Sequence, residues 1–552
     1  AFDVDWFREA YKMLGEDNFK LVYDSAKYIA AGALHKRSQL FADAALERLS
    51  RKEAEEIITS KRNKDYVLCY GLIPLSNGKE EILHRYEFLH RFRKESSQFG
   101  AQRRASEQLS ADIALYNLAR NAGFSDVNRF TWYMETEKMK TIRSYLEPKN
   151  LQDVTVFLLI DEGGEAKIQV IKDGKALKSI PANLKKEDYI KALQETKNSL
   201  KEQYIRAKAS LERAMEMEEI FTKEELTNLS INPVIEPLLR NLVFISSDKD
   251  ENKNEEKNEN TNGYFRCGTL VGCFDKEFAL KEDEKLIIAH PVHLYKKGIW
   301  SAYQKDIFDR SIMQPFKQVF RELYRPNGDE LKDGKISYRY YGHQIQPMKA
   351  MALLKTRGWV LNDYDGFQKV YYKQNIAALL SVGADWFSPA DIEPPTIQYV
   401  LFIDRKTGSI LSFEDIPECI FSEVMRDIDL VVSVAHVGGV DIEASLSTIE
   451  MRKAVISEML RLLKLTNVTL KDAHAFIKGK YGEYTVHLGS GIVHKMLAGA
   501  IHILAIHSGH RGKIFLPFMD EDPRTAEIIS KIVLLAEDKK IKDPTILEQV
   551  TR

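Results

Sequence analysis

PECIFSEVMRDIDLVVSVA, residues Pro417–Ala435, crowds Glu418, Glu423, Arg426, Asp427 and Asp429 ahead of a run that is almost wholly apolar. Apolar side chains at consecutive positions fit a strand buried on both faces, so DLVVSVA is predicted as a core strand fed by a short charged helix. Its surroundings alternate in the same manner. LIIAHP and IQYVLFI read as strands and Met348–Lys355 as a helix. QPFKQVFRELYR reads as a helix from Pro315, with Phe316, Val319, Phe320 and Leu323 on a core-facing stripe. At Ser447 the S-T-I-E spacing gives a capping box closed by Glu450, with Met451, Val455, Met459 and Leu462 on one helical face. HAFIKG, EYTVHL, IHILAI and KIFLPF then read as strands, before a helix opened by Asp522 at the cap and Pro523 at its first position. Residues 264–552 are therefore expected to form a mixed α/β region.

Toward the N-terminus the periods differ. Residues 1–150 show helical spacing throughout, and DNFKLVYDSAKYIAAGA and ADIALYNLARNAG each close with a Gly suited to the left-handed conformation after a helix. This part is expected to be an all-helical domain. From Thr155, VTVFLLI, AKIQVI and KALKSI read as a three-stranded meander, with Asp173-Gly174 a strong hairpin signal. KKEDYIKALQETKNSLKEQYIRAKASLERAMEM lacks Gly and Pro and carries opposite charges four residues apart, the pattern of a long, largely solvated helical arm. Meander and arm occupy 151–245. Ser246–Gly263, SSDKDENKNEEKNENTNG, has no apolar residue able to join a core and reads as a disordered linker or insert, where the main boundary is placed. The expected fold is mixed α+β and multi-domain.

With 552 residues, 44% of them hydrophobic, the chain is long enough for about two to four cores. Lys and Arg number 80 against 81 Asp and Glu, so no global field favours nucleic acid or an anionic membrane, and any such binding needs a local patch. Cys69, Cys267, Cys273 and Cys419 form no CxxC pair, which argues against a disulfide framework and a cysteine-based zinc site. No apolar run approaches the ~20 residues of a spanning helix, no signal peptide is evident, and a cytoplasmic location is expected.

Candidate sites begin with Arg85–Arg104, where six cations face only Glu87 and Glu95. SSQFGAQ suggests a break at Gly100 and then a helix with Ala105, Leu109, Ile113 and Tyr116 on its apolar face. Arg103 and Arg104 would then lie in a first turn, where cations are disfavoured unless an anion is near. Arg91, Arg93, Lys94, Gln98, Gln102, Arg103 and Arg104 are thus candidates for binding a phosphate of a nucleotide, ADP-ribose or nucleic acid; the alternative is a solvated basic face paired with carboxylates. Lys317, Arg321 and Arg325 extend the candidate anion site along the helix from Pro315, or else form surface salt bridges. In the cluster Glu423, Arg426, Asp427 and Asp429, Arg426 paired with Asp427 or Glu423 reads as a structural clamp. His343, Arg426 and Ser490 are weaker pocket candidates, and HLGSG around Ser490 also reads as a simple tight turn. His290 with His293, and His502 with His507 and His510, lack the acidic partner of a metal-binding helix, so no metal is expected. Without a Walker or GxGxxG motif, no cofactor is expected either.

PECIFSEVMRDIDLVVSVA, QPFKQVFRELYR, SSQFGAQRRASE at Ser96–Glu107, HLGSG at His487–Gly491 and FLPFMDEDP at Phe515–Pro523 together resemble an uncharacterised bacterial family that includes the molybdate metabolism regulator (MolR-like). The likeness runs along nearly the whole chain. Family members are often longer at the N-terminus, with helical repeats or a WGR domain, so this chain, which starts without Met, resembles a C-terminal portion. Many lie beside MoxR-type ATPases. The resemblance implies protein partners within an ATPase-associated system and a non-catalytic scaffold or interaction module. A nucleotide- or nucleic-acid-binding module is the alternative, an enzyme of unknown reaction in the C-terminal region the second, and it supplies no catalytic residues.

Overall fold

In the computed structural model the described residues are all except 1, 30–33, 77, 125, 248–260, 363–365, 385, 387–392, 436–443, 497–498, 502–513 and 552. They form two compact units, one of Ala1–Ala207 with Asn228–Glu236 and one of Lys208–Thr227 with Pro237–Arg552. The linker expected at 246–263 and the histidines 502, 507 and 510 fall largely or wholly outside the described residues, as does the first closing Gly, at 32. The chain is a mixed α+β, multi-domain protein with an N-terminal helical region and several small antiparallel sheets. No helix among the described residues is long and apolar enough to cross a membrane.

The first unit opens with α1 (Val4–Ile29), α2 (Leu34–Ala45), α3 (Arg51–Lys61), α4 (Lys64–Tyr70), α5 (Gly78–Glu95), α6 (Ala101–Asn121) and α7 (Val127–Leu146). Side chains of Ser50, Asn63 and Asp126 cap α3, α4 and α7 by accepting otherwise orphaned amides. The expected break at Gly100 is present, but the buried face of α6 is Ser110, Ala111, Ala114, Leu115 and Leu118, while Leu109 is 62% exposed. Close approach to α4 is the reason, since small residues are what that contact accepts. A Cβ on Gly71 would lie 2.7 Å from the Leu118 amide nitrogen and 2.9 Å from Asn117 Cβ. Gly71→Ala is therefore expected to destabilise the first unit by about 1–3 kcal/mol through overpacking. Gly100→Ala, where the added carbon meets open space, should stay within about 0.5 kcal/mol of the parent. Urea unfolding of the two variants tests the contrast.

A four-stranded antiparallel sheet follows, β1 (Lys149–Leu151), β2 (Val154–Ile160), β3 (Ala166–Lys172) and β4 (Lys175–Ala176). It has one more strand than expected, and KALKSI contributes only two residues to it. Asp173 and Gly174 both take positive φ, 49° and 75°, as a tight hairpin between β3 and β4 demands. The long helix α8 (Asp188–Glu216) is continuous as expected, but it is no solvated arm: Ile190, Leu193, Leu200, Ala207, Leu211 and Met215 form a buried stripe. Short helices α9 (Lys223–Leu229) and α10 (Glu236–Leu239) come next.

The second unit holds three antiparallel sheets. The first joins β5 (Phe221–Thr222), β6 (Val243–Ser246), β7 (Asn262–Arg266), β8 (Thr269–Val271), β9 (Glu277–Ala279) and β10 (Lys285–Ile288) in the order 5-10-6-7-8-9. The second joins β11 (Ile336–Ser337), β12 (Trp359–Asn362), β13 (Gly366–Tyr371), β14 (Ile376–Val382) and β15 (Ile397–Asp404) in the order 11-15-14-13-12. The third is a meander of β16 (Val468–Lys471), β17 (His474–Lys478), β18 (Glu483–His487), β19 (Val493–Lys495) and β20 (Gly499–Ile501). Helices α11 (Pro291–Lys296), α12 (Trp300–Asp309), α13 (Gly328–Asp333), α14 (Pro347–Thr356), α15 (Glu418–Ala435), α16 (Leu446–Leu463), α17 (Pro523–Ala536) and α18 (Pro544–Thr551) surround them.

Four expectations for this unit are overturned. DLVVSVA is the second half of α15, not a strand. Of the helix's 18 residues 14 are buried, so its apolar run reflects burial on nearly every side rather than a strand's two faces. Phe421, Val424, Met425, Ile428 and Val432 pack with Phe402 and Leu380 of the second sheet. QPFKQVFRELYR is not helical, because its backbone is bonded elsewhere. Gln314 bridges Phe518, the Lys317 amide donates to Asp520, the Val319 amide to the Gln314 side chain and the Tyr324 amide to Ser422. The carbonyls of Val319 and Leu323 accept from Trp300 and Ser447. Ser447 therefore does not cap α16; Ser445 does, through the Thr448 amide. In KIFLPF the described part makes a single bridge and no strand, whereas α17 begins at Pro523 under an Asp522 cap as expected.

Candidate functional site

Around α15 lies a buried ionic network. Arg321, fully buried, donates Nε and Nη2 to the two oxygens of Glu423 at 2.7 and 2.6 Å, and Nη1 and Nη2 to Glu212 and Glu216, each at 2.8 Å. Arg426 donates to Glu322 at 2.9 Å, which also accepts from Lys317 at 2.7 Å, and Lys317 reaches Asp522 at 2.9 Å. Asp427 accepts from Lys369 at 2.8 Å and from the Trp359 indole at 2.9 Å, and pairs with Arg357 at 3.2 Å. Burial opposes the charge on Glu322 and Glu423, yet the cations beside them hold both below the usual carboxylate range. Carboxylates outnumber cations, and the excess shows at Glu216. Burial and the negative Glu423 push its pKa up to about 7, against the pull of Lys369 and Arg321.

Beside this network, within the second unit, a cleft of about 790 Å³ opens between the irregular segment 321–327, α15 and α16. Arg325, Arg339 and His343 line it with the rings of Tyr295, Trp300 and Tyr340. Exposed Arg325 lies over the Tyr295 ring, 5.0 Å from its centroid, and donates to its hydroxyl at 3.1 Å. Arg339 donates to Glu330 at 2.5 Å and to the Arg325 carbonyl at 2.8 Å, which ties the two arginines together. Asp429 of α15 also lines the cleft. Its Oδ2 accepts from Tyr324 at 2.7 Å, Ser445 at 3.1 Å and Thr448 at 3.4 Å, and its Oδ1 from Tyr340 at 3.3 Å. Burial raises its pKa above the ordinary aspartate value.

The residues singled out from sequence scatter. Arg321 and Lys317 are not on a solvated face but buried in the network, and Arg426 is buried against Glu322. Arg321, Arg325 and His343 converge on the cleft, whereas Ser490 does not line it. Ser490 Oγ is 2.9 Å from His487 Nδ1 and accepts the Ile492 amide, and Gly491 has φ 73°, which together make a tight turn. In the first unit, Arg103 pairs with Glu107 at 2.9 Å and lies over the Phe99 ring, Arg93 pairs with Asp112 at 3.4 Å, and Lys94 with Glu202 at 3.6 Å. Arg62 joins them by bridging Glu95 and Glu107 at 2.8 Å each. Arg91 and Arg104 form no ion pair among the described residues, and Gln98 and Gln102 are exposed. Tyr340 and Asp429 are the cleft residues that sequence reasoning placed least well; the SYRYYGH cluster of aromatics and arginine was the available signal.

Histidines 290 and 293 each cap α11 through Nδ1, which accepts the amide of Val292 and of His290 respectively. Nε2 therefore carries the proton on both rings and donates to Glu423 and to Glu218, each at 2.9 Å. Burial lowers the pKa of His290 and keeps it neutral. Cys419 Sγ lies 3.7 Å from His293 Nε2, so Glu218, His293 and Cys419 have metal-ligand spacing. The protonated Nε2 faces that cluster, however, and burial with Glu218 nearby raises the Cys419 thiol well above its ordinary pKa. The trio is a hydrogen-bonded joint rather than a prepared thiolate or metal site.

Family models match three stretches of the chain: a family of unknown function (DUF5724) at residues 1–134, a domain of unknown function (DUF4132) at 174–359 and a domain of unknown function (DUF7737) at 449–550. None assigns a reaction. The DUF4132 stretch supplies Glu212, Glu216, Lys317, Arg321, Arg325, Arg339 and His343, and α15, which completes the network, follows it before the DUF7737 stretch begins. No curated protein and no solved structure matches the chain.

Proposed function

We propose that the second unit is a ligand-binding module whose cleft takes a small anionic molecule with a flat, ring-bearing part. The observation that carries this reading is the convergence of Arg325, Arg339 and His343 on a cleft faced by Tyr295 and Trp300. Guanidinium groups suit carboxylate or phosphate, and the rings offer stacking surface. The ionic network behind them is rigidly bonded, as a preorganised wall needs to be. The basic segment of the first unit gives weaker support to the same chemistry, since Arg93, Lys94 and Arg103 are already neutralised by carboxylates.

The test is a thermal-shift screen of nucleotides, ADP-ribose, pyrophosphate and short nucleic acids. A ligand at about 100 times its Kd stabilises by about 2.7 kcal/mol. Arg325→Glu is expected to abolish the shift and Arg103→Glu with Arg104→Glu to leave it unchanged. The reverse pattern would move the site to the first unit and refute the cleft.

A second reading, a scaffold working with an ATPase, rests on the resemblance to MolR-like proteins and on α1. There Trp6, Met13, Leu21 and Tyr28 are 68%, 83%, 68% and 81% exposed, an apolar surface suited to a protein partner. Loss of co-purifying ATPase from Trp6→Ser/Tyr28→Ser, with Arg325→Glu retaining it, would favour that role.

A further inference from the structure

We propose that Asp429 anchors a cationic group that the ligand carries besides its anionic one, so that the cleft selects molecules also bearing an ammonium or guanidinium group. The inference rests on the cleft's being a ligand site and names the chemistry of its floor.

The three buried carboxylates along α15 are not treated alike. Glu423 has Arg321 and His290, and Asp427 has Lys369 and Arg357. Asp429 is buried too, yet has no ion-pair partner among the described residues. A buried carboxylate without a cation is costly, and the protein meets that cost only with hydroxyls. These are distributed unevenly. Oδ2 is surrounded by Tyr324, Ser445 and Thr448 at the start of α16, while Oδ1 accepts, among the described residues, from Tyr340 alone, at 3.3 Å. Each carboxylate oxygen accepts about two hydrogen bonds, so the open capacity is on Oδ1. Arg452, the cation whose charge reaches Asp429, is bonded to Thr525 and to the carbonyls of Leu488 and Gly489. The cleft walls add Tyr295, Trp300 and Tyr340, whose ring faces attract cations as well as planar groups.

The experiment is calorimetric titration of the full chain with agmatine, putrescine and L-arginine as cationic probes and with pyrophosphate as an anionic one. At least one cationic probe is expected to bind. Asp429→Asn should weaken it tenfold or more, while Glu450→Gln should leave it within about twofold, given that Glu450 is an exposed carboxylate on the same wall. If Asp429→Asn does not fold, the wild-type chain still decides. Affinity for a contact shielded from solvent should change less than about threefold between ~0.05 and ~0.5 M salt, whereas a tenfold loss would assign the probe to surface charge and overturn the proposal. Binding of pyrophosphate alone, lost in Arg325→Glu, would overturn it and leave the anion-binding cleft standing. No binding by any probe would overturn both, and loss in Glu450→Gln rather than in Asp429→Asn would overturn the role of Asp429.

Discussion

Arg321→Met is expected to destabilise the second unit by about 3–5 kcal/mol or more, the cost of removing one partner from a buried charge pair. One guanidinium here satisfies three carboxylates, Glu212, Glu216 and Glu423, from α8 and α15. Methionine fills similar volume, so the loss is electrostatic rather than a cavity. Arg321→Lys should recover only part of it, because an ammonium cannot make the paired bonds to both Glu423 oxygens. Arg321→Met combined with Glu423→Leu should be less damaging than Arg321→Met alone, since both ends of the closest pair leave together. Urea unfolding, with hydrogen exchange of the α15 amides as the local readout, tests the series. A loss below about 1 kcal/mol for Arg321→Met would mean that the network is not rigidly formed.

Glu216→Gln is expected to stabilise the chain at pH 8 by up to about 3 kcal/mol, from a folded pKa near 7 against an ordinary value of 4.5. The folded state favours the protonated form. Its stabilisation is therefore fully present below pH 4.5 and is lost as pH rises through about 7. Glutamine carries a neutral amide at every pH and keeps an acceptor oxygen for Arg321 and Lys369. The difference between variant and parent should thus be largest in alkaline solution and shrink toward zero near pH 4. Melting curves of both proteins across that range give the result directly, and a difference independent of pH would show that Glu216 is ionised throughout.

How far the chain could be read in advance depended on whether neighbouring residues or distant ones complete the bonds. The helical character of the N-terminal region, the Asp173-Gly174 hairpin, α14, α17 and strands β15, β17 and β18 were legible, because capping residues, turn glycines and periodicity act within a few positions. The long helix α8 was legible as a helix, though its buried stripe was masked by its many charges. α15 misled because a helix covered on nearly all sides loses the polar face that marks helical period. In Phe421, Met425, Ile428 and Val432 that spacing was nonetheless present.

Composition and local pattern alone determine that this is a mixed α+β protein with a helical N-terminal part, a hairpin at Asp173-Gly174 and basic segments at Arg85–Arg104 and Lys317–Arg325. Tertiary contact assigned those charges their meaning. It neutralised Arg93, Lys94 and Arg103, buried Arg321 among Glu212, Glu216 and Glu423, and left Arg325, Arg339, His343 and Asp429 on one cleft. The physical reason is range: caps and turns close over three or four residues, whereas the partners of Arg321 in α15 and α8 stand about a hundred positions away and are met only when the unit is folded.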